Sequence, residues 1–245
     1  MRTIGFIPLL LCGALCALPA AAQTPDIGVA ASVVNKVDGS LGPQTRSLAT
    51  GDKVFTNEVI RTGTDSKGQL LFRDETSLAI GPDSEVTLDK FVYNPNGGSL
   101  TLNATKGVFR FISGSLPKQS YEIKTPSATV GVRGTIAYFA VLPDGTSLYY
   151  VLEGGLGLTT LFGPINADAG EIIVIRPGSK PEVGKLKSWQ KALFASLLDP
   201  DKKNSIVPDV PGMPERGNEL RNLLRNQQQQ EIICYGFSVN NYCYD

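Results

Sequence analysis

The chain has 245 residues, in which 23 Lys and Arg balance 23 Asp and Glu, and it contains no histidine. A chain without a basic excess lacks the charge that attracts phosphates, so nucleic acid is a poor candidate partner. The absence of histidine excludes serine–histidine and cysteine–histidine catalysis. It also removes the side chain that most often acts as acid, base or metal ligand near neutral pH.

Residues 1–22 have the layout of a secretory signal peptide. One positive charge at Arg2 precedes an apolar run over residues 4–18, and small residues follow up to Ala22. This pattern predicts export to the periplasm or the medium, with cleavage after Ala22. A membrane anchor is the competing interpretation, but the run is short for the roughly 20 residues that span a bilayer. We therefore expect no membrane-spanning segment in the mature chain.

Residues 23–180 are predicted to form an all-β domain. They are rich in Val, Ile, Thr, Phe and Tyr and are interrupted at intervals of about 8–12 residues by Gly, Pro, Asn or Asp. Alternation of apolar and polar residues predicts strands with one buried face at 69–73, 84–89, 99–103 and 107–112. Turn residues predict chain reversals at 81–83, 94–98, 143–145 and 154–155.

Two parts of this region resemble each other. Ile60-Arg-Thr-Gly63 precedes a strand and then Asp74-Glu-Thr-Ser-Leu78, while Ile123-Lys-Thr-Pro126 precedes a longer strand pair and then Asp144-Gly-Thr-Ser-Leu148. Coiled β architectures stack such units, each covering the apolar face of its neighbour. The similarity predicts two related coils of chain. Chance similarity between short β-rich segments is the alternative.

Residues 181–230 are predicted to form a helical and linker extension. Apolar residues recur at helical spacing at Leu186, Trp189, Leu193, Leu197 and Leu198. We expect this stripe to pack on its own domain, with a site for a partner protein as the alternative. Proline and charged residues indicate a linker over 199–217, and a second, weaker helix follows it.

The tail over residues 231–245 contains Cys234 and Cys243 together with several aromatic residues. Because an exported chain meets an oxidising environment, the two cysteines are predicted to form a small disulfide loop. Free or intermolecular thiols in a flexible tail are the alternative. The tail is expected either to fold back on the body or to contact another molecule.

The sequence shows no catalytic, metal-binding or cofactor-binding set. Asp74 with Glu75, and Asp83 with Glu85, are paired carboxylates of the kind that glycosidases use. Both pairs lie at or beside predicted turns, where acidic residues usually bond backbone groups. We therefore predict a protein that is not an enzyme and requires no cofactor.

Several short motifs, taken together and in order, resemble the FecR domain over residues 27–161. They are Val37-Asp-Gly39, Leu48-Ala-Thr-Gly-Asp52, Ile60-Arg-Thr-Gly63, Asp74-Glu-Thr-Ser-Leu78, Lys106-Gly-Val108, Thr125-Pro126 and Val132-Arg-Gly-Thr135. The resemblance implies a β-solenoid-like coiled β domain that senses or relays a signal in the periplasm. It marks eight family-motif residues, which are Thr62, Gly63, Thr125, Pro126, Val132, Arg133, Gly134 and Thr135.

The motif residues carry individual expectations. Gly134 is expected to permit a bend where a side chain would collide. Arg133 is predicted to bridge to Asp74 or Glu153, with a ligand-facing role as the alternative. Thr62 and Thr125 are expected to form a hydroxyl pair inside the coil.

The function that follows is contact with another molecule. The first hypothesis is a periplasmic protein-interaction or signal-relay module, which binds an envelope protein through an exposed strand edge or its aromatic tail. The alternative is a module that binds carbohydrate or another envelope polymer through Tyr93, Tyr138, Tyr149 and Tyr150. Burial of the last three tyrosines would remove the best surface for a sugar.

Overall fold

The computed structural model describes residues 25–94, 97–188, 190 and 194. Their regular structure is almost entirely β, which confirms the predicted all-β class. The strands are β1 (Asp26–Val34), β2 (Val37–Leu41), β3 (Gln44–Ser47), β4 (Lys53–Phe55), β5 (Val59–Thr62), β6 (Lys67–Phe72), β7 (Ser77–Ile80), β8 (Glu85–Asn94), β9 (Gly97–Ile112), β10 (Tyr121–Lys124), β11 (Ala128–Val132), β12 (Ile136–Val141), β13 (Ser147–Glu153), β14 (Gly155–Thr160), β15 (Gly163–Asp168), β16 (Glu171–Ile175) and β17 (Glu182–Lys185). One turn of 3-10 helix, Lys118–Ser120, precedes β10.

The strands form two sheets that share β9. In order of hydrogen-bonded neighbours, the first sheet contains β4, β1, β6, β7, β9, β12, β13, β16 and β17. The second sheet contains β3, β2, β5, β8, β9, β10, β11, β14 and β15. Every pairing between the described strands is antiparallel except that of β9 with β10. The predicted solenoid-like coiling is therefore not confirmed.

Strand β9 passes from the second sheet into the first. Residues 97–106 pair with β8, and residues 107–112 pair with β12. Gly107 lies at the switch with a φ of 108°, a conformation that glycine adopts without the steric cost of a side chain. The sequence predicted separate strands at 99–103 and 107–112. The structure has one strand, because no turn interrupts the chain where it changes sheets.

The main core lies between the two sheets, and side chains from both inner faces fill it. In the first sheet, the rings of Phe109 and Phe139 stack with their centroids 4.9 Å apart. Ile60 and Leu102 enter the same core from the second sheet. Because successive side chains of a strand point to opposite faces, the alternating pattern of the sequence supplies these inward residues. Burial of each large apolar side chain stabilises the fold by roughly 1.5–3 kcal/mol.

The two segments that resemble each other in sequence form the same turn. The Asp74 carboxylate accepts hydrogen bonds from the backbone N–H and the hydroxyl of Thr76, and Asp144 accepts the same two bonds from Thr146. The residue after each aspartate has a positive φ, 70° in the first turn and 83° in the second. The first turn joins β6 to β7 and the second joins β12 to β13. The similarity thus corresponds to a repeated hairpin of the first sheet.

The outer face of the first sheet is covered near its β17 edge. Strand β17 falls in the predicted extension, yet it pairs with β16. Leu186 packs against an apolar cluster on this face, and the buried ring of Phe194 contacts Tyr138 and Tyr150 there. The described part of the extension therefore packs on its own domain. The other members of the predicted stripe lie outside the described residues: Trp189, Leu193, Leu197 and Leu198.

Three further predictions fall on residues outside the described ranges. They concern the signal peptide over 1–22, the linker and second helix of the extension, and the disulfide between Cys234 and Cys243, and they stay predictions. Within the described residues, no helix has the length and apolar character needed to cross a bilayer.

Candidate functional site

The motif Val132-Arg-Gly-Thr135 occupies the point where the chain passes from the second sheet to the first. Val132 is the last residue of β11; it is buried and pairs with Leu156 of β14. Arg133 and Gly134 make the crossing, and Thr135 comes directly before β12. The motif therefore belongs to the framework that joins the two sheets.

Thr135 is the centre of the hydrogen bonds at this crossing. Its buried hydroxyl donates to the carbonyl of Gly155 at 2.8 Å and accepts from the Gly155 N–H at 3.3 Å. Its backbone N–H donates to the hydroxyl of Ser113 at 3.0 Å, and its carbonyl accepts from the Ser113 N–H at 3.1 Å. Since Ser113 follows β9 and Gly155 begins β14, one threonine connects three strands.

Replacement of Thr135 by valine should therefore lower the free energy of unfolding by about 2 kcal/mol, because the buried N–H of Gly155 loses its acceptor, while the Gly155 carbonyl keeps the hydrogen bond from the Arg133 N–H. Thr135→Ser is the matched control: it keeps the hydroxyl and removes one methyl, which is worth roughly 0.8 kcal/mol. Urea denaturation of both variants gives the comparison. An equal loss for valine and serine would show that the hydroxyl is not what stabilises the crossing.

Two glycines allow the backbone to pack closely beside Thr135. Gly134 has a φ of 64° and Gly154 has a φ of 79°. A Cβ atom added to Gly154 would lie 2.1 Å from the carbonyl oxygen of Gly134. The bend expected at Gly134 is present, and its partner is the glycine turn between β13 and β14.

Arg133 does not form the predicted bridge to Asp74 or Glu153. Its side chain is exposed, and its Nη2 atom donates to Oδ1 of Asn166 on β15 at 3.3 Å. The side chain crosses β14 beside Gly155; a Cβ at that position would lie 3.6 Å from Nη2, in ordinary van der Waals contact. No described carboxylate lies within 4.0 Å of this guanidinium. Its charge therefore remains available beside β15.

Thr62 and Gly63 mark another crossing between the sheets, from β5 to β6. The buried hydroxyl of Thr62 donates to the carbonyl of Gly81 at 2.6 Å and accepts from the backbone N–H of Ser84 at 2.9 Å. The N–H of Gly63 donates to the carbonyl of Lys36 at 3.0 Å. Thr62 thus connects the turn before the β6–β7 hairpin with the turn after it.

Thr125 and Pro126 lie in the turn between β10 and β11. The hydroxyl of Thr125 donates to the carbonyl of Ala128 at 3.0 Å and also lies within hydrogen-bond distance of the Tyr149 hydroxyl. Burial raises the pKa of Tyr149, so its hydroxyl remains protonated in the core. Thr62 and Thr125 bond different partners, and the hydroxyl pair predicted between them is not formed.

The four tyrosines predicted to bind sugar do not share a surface. Tyr149 points into the main core, and Tyr138 is buried on the outer face of the first sheet. Tyr150 is half-buried beside Tyr138 and Phe194. Tyr93 alone of the four is exposed, on the hairpin of the second sheet. The burial of Tyr138 and Tyr149 removes the platform that the carbohydrate hypothesis required.

The end of the second sheet formed by β14 and β15 exposes large apolar side chains and the edge of a strand. Leu161 and Phe162 lie at the tip of this hairpin, with 96% and 49% of their surface exposed. Strand β15 pairs with β14 on one side and has no described strand on its other side. Arg133 and Asn166 lie next to this edge. Exposed apolar side chains, an open strand edge and an exposed cation therefore occur together.

Sequence reasoning did not identify Leu161, Phe162 or Asn166 as candidate site residues. A usable signal was present, because two large apolar residues directly before Gly163-Pro164 occupy a position where turns normally carry polar residues. Within the described residues, no group of three or more Cys, Asp and Glu side chains is arranged to hold a metal ion.

Residues 58–156 match the family model described as FecR protein. Two crystal structures of "a putative anti-sigma factor from Parabacteroides distasonis ATCC 8503" align with this chain at 12% sequence identity and a TM-score of 0.46. Each alignment covers 55% of this chain and 62% of the other, so the chain spans less than two thirds of that protein. A comparison with curated proteins gives no match. The matched residues 58–156 contain both threonine crossings and the Val132–Thr135 motif, so this part of the chain carries a FecR domain.

Proposed function

We propose that this chain is a non-enzymatic FecR-domain protein of the cell envelope that relays a signal by binding another protein. The FecR domain supports a regulatory role. The observation that supports binding is the open edge of β15 together with the exposed pair Leu161 and Phe162. Exported residence in the periplasm is part of the proposal and follows from the predicted signal peptide.

The edge of β15 suits the addition of a strand from a partner. An unpaired edge presents backbone N–H and C=O groups, which an extended segment can bond, and neighbouring side chains then decide which segment fits. Pro164 lacks an N–H and limits pairing at one end, which leaves residues 165–168 for the partner. Asn166 and Asp168 are exposed along this part of the strand.

The hairpin tip carries two adjacent exposed large apolar residues, Leu161 and Phe162, whereas the other described edge strands carry at most one, Val183 of β17. Exposed apolar patches rimmed by polar residues mark sites of protein interaction, and aromatic residues such as Phe are enriched in interfaces. The opposite edge of the second sheet, β3, has only Gln, Thr, Arg and Ser side chains. In the first sheet, β4 has three residues, and the exposed Val183 of β17 stands between the charged residues Glu182 and Lys185.

The carboxylates that could support hydrolysis are engaged in local structure. Asp83 accepts a hydrogen bond from the hydroxyl of Thr64, and Glu85 pairs with Arg61 at 2.7 Å. Burial by itself raises the pKa of Glu85, but the bonds from Arg61 and Thr105 outweigh it and hold the pKa below its usual value. A general acid requires a raised pKa, so Glu85 is unsuited to that role.

The test is site-specific photocrosslinking in the native envelope, with the probe at position 161 or 162 of the full chain. We expect one discrete envelope protein to be captured at least tenfold more than from the control position Thr45, which is exposed on β3 at the opposite edge of the same sheet. Cell fractionation of the same strain tests the location.

A charged variant makes this experiment decisive. Leu161→Asp combined with Phe162→Asp should abolish capture by a probe placed at Asn166, without changing the melting temperature, because both residues are exposed. Three results would each overturn the proposed surface. They are equal capture from a probe at Thr45, capture that persists in the Leu161→Asp and Phe162→Asp variant, and no capture from a probe at position 161 or 162.

A further inference from the structure

The open edge of β15 offers few backbone donors to a partner. The N–H of Asp168 donates to Oε2 of Glu171 at 2.9 Å, so it points away from β14 and is already bonded. Every second residue of an antiparallel strand directs its backbone groups to the same side, so those of Asn166 and Pro164 also point to the open side. Pro164 has no N–H. Between Pro164 and Asp168, the donor that remains for a partner is therefore the N–H of Asn166.

The outer face of this edge carries two exposed charges of opposite sign. Ile165 and Ala167 point into the main core, so Asn166 and Asp168 lie on the outer face. The guanidinium of Arg133 lies on that face too, with Nη2 3.3 Å from Oδ1 of Asn166. Among the residues that the structure describes, no opposite charge lies within 4.0 Å of Arg133 or of Asp168. Both charges are therefore available to a partner.

A strand added to β15 would place its side chains in register with these two charges. The residue directly opposite Asn166 lies on the same face, with its Cβ about 5 Å from that of Asn166, and so beside the guanidinium of Arg133. The residue opposite Asp168 is two positions away in the added strand and shares this face. Antiparallel pairing is the commoner and the slightly more stable mode. In that mode the residue opposite Asp168 comes first along the partner chain.

We infer that the β15 edge selects an extended segment in which a basic residue is followed, after one apolar residue, by a carboxylate. The basic residue meets Asp168, and the carboxylate meets Arg133. The apolar residue between them points to the core side, beside Ala167. Opposite charges across a strand pair are favourable and like charges are unfavourable, so the order of the charges decides which segment fits. This inference rests on the proposed binding at the β15 edge and adds the chemistry of the partner.

Two peptides of identical composition test the charge order on the full chain. The probe is Ser-Lys-Val-Asp-Val-Thr-Leu, with an uncharged fluorophore at its N-terminus and an amide at its C-terminus. The control exchanges its Lys and Asp and is otherwise the same. The probe should bind about tenfold more tightly by fluorescence anisotropy, because the control places each charge opposite a like charge.

A variant with both edge charges exchanged should reverse this preference. Arg133→Glu combined with Asp168→Lys leaves the net charge unchanged, and both positions are exposed, so the melting temperature should equal that of the unaltered chain. The variant should bind the control peptide about tenfold more tightly than the probe. The inference is wrong if the unaltered chain binds the two peptides equally, if it does not bind the probe, or if the variant keeps the original preference.

Photocrosslinking from positions 161 and 162 separates failure of this inference from failure of the proposed function. Capture of an envelope protein, together with equal binding of the two peptides, would retain the partner surface and reject selection by charge. Selection between the peptides without capture would retain the chemistry of the β15 edge and reject a partner in the envelope.

Discussion

Gly107→Ala is expected to lower the free energy of unfolding by about 3–5 kcal/mol, from steric overlap and an unfavourable φ together. A Cβ at this position would lie 2.0 Å from Oγ and 2.3 Å from Cβ of Ser84. Ser84 cannot move aside freely, because its Oγ accepts the backbone N–H of Val108 and donates to the carbonyl of Pro82. The strand that both sheets share would be forced apart at its crossing.

Gly163→Ala is the matched control for this variant. Gly163 has nearly the same φ, 105° against 108°, but a Cβ added there meets nothing within 4 Å. The control therefore measures the conformational cost of a side chain at this positive φ, which is about 1–2 kcal/mol. Chemical denaturation of the two proteins gives the difference. Equal losses would mean that the close approach to Ser84 has no energetic consequence.

Asp74→Ala is expected to be nearly as damaging, with a loss of about 3 kcal/mol. Asp74 is buried, and its Oδ2 atom accepts hydrogen bonds from the hydroxyls of Thr76 at 2.6 Å and Tyr121 at 3.0 Å. Burial and the adjacent carboxylate raise the pKa of Tyr121 far above its usual value, so its hydroxyl remains a donor. Removal of the carboxylate leaves both buried hydroxyl groups without an acceptor.

The repeated hairpin provides the control. Asp144 makes the same two bonds to Thr146, but its side chain is exposed and bonds no tyrosine, so Asp144→Ala should cost only about 1 kcal/mol. A double-mutant cycle of Asp74→Ala with Tyr121→Phe should show a coupling of about 1 kcal/mol or more. Similar losses at the two aspartates, or no coupling, would contradict the role assigned to the buried network.

The FecR motifs of this chain are explained by the architecture. Thr62 and Thr135 close the points where the chain changes sheets, and Gly134 allows the backbone to pass beside Gly154. These residues set how the sheets join. The surface that we propose for a partner lies instead at the β14–β15 hairpin, nearly all of which follows the matched residues 58–156.

The local pattern of the sequence was sufficient for the strands and turns. Alternating residues gave the inward set of β6 and β8, and the turn chemistry of Asp74 and Asp144 was visible as a repeat. These features depend on neighbours in the chain, because side-chain period and turn hydrogen bonds are local properties. The continuity of β9 was not predictable, since the switch at Gly107 is decided by which strands lie beside it.

The predicted partners of Arg133, Thr62 and Thr125 were wrong for a related reason. A motif indicates which residue types occur together, but contacts across sheets depend on the register of β11, β14 and β15, which no local pattern contains. The tyrosine platform predicted for a sugar is not formed, because that prediction assumed that one face of each strand is exposed to solvent. In the first sheet both faces are covered around Tyr138 and Tyr149, by Phe194 on one side and the second sheet on the other.

The amino-acid sequence alone thus determined the β class, the turns, the repeated hairpin and the resemblance to the FecR domain, because each rests on short local patterns of residues. The tertiary structure decided how two sheets share one strand, which tyrosines are buried and that Leu161 and Phe162 are exposed beside the β15 edge. Those properties depend on contacts between residues far apart in sequence, where packing and hydrogen-bond satisfaction select one arrangement among many that the local pattern allows.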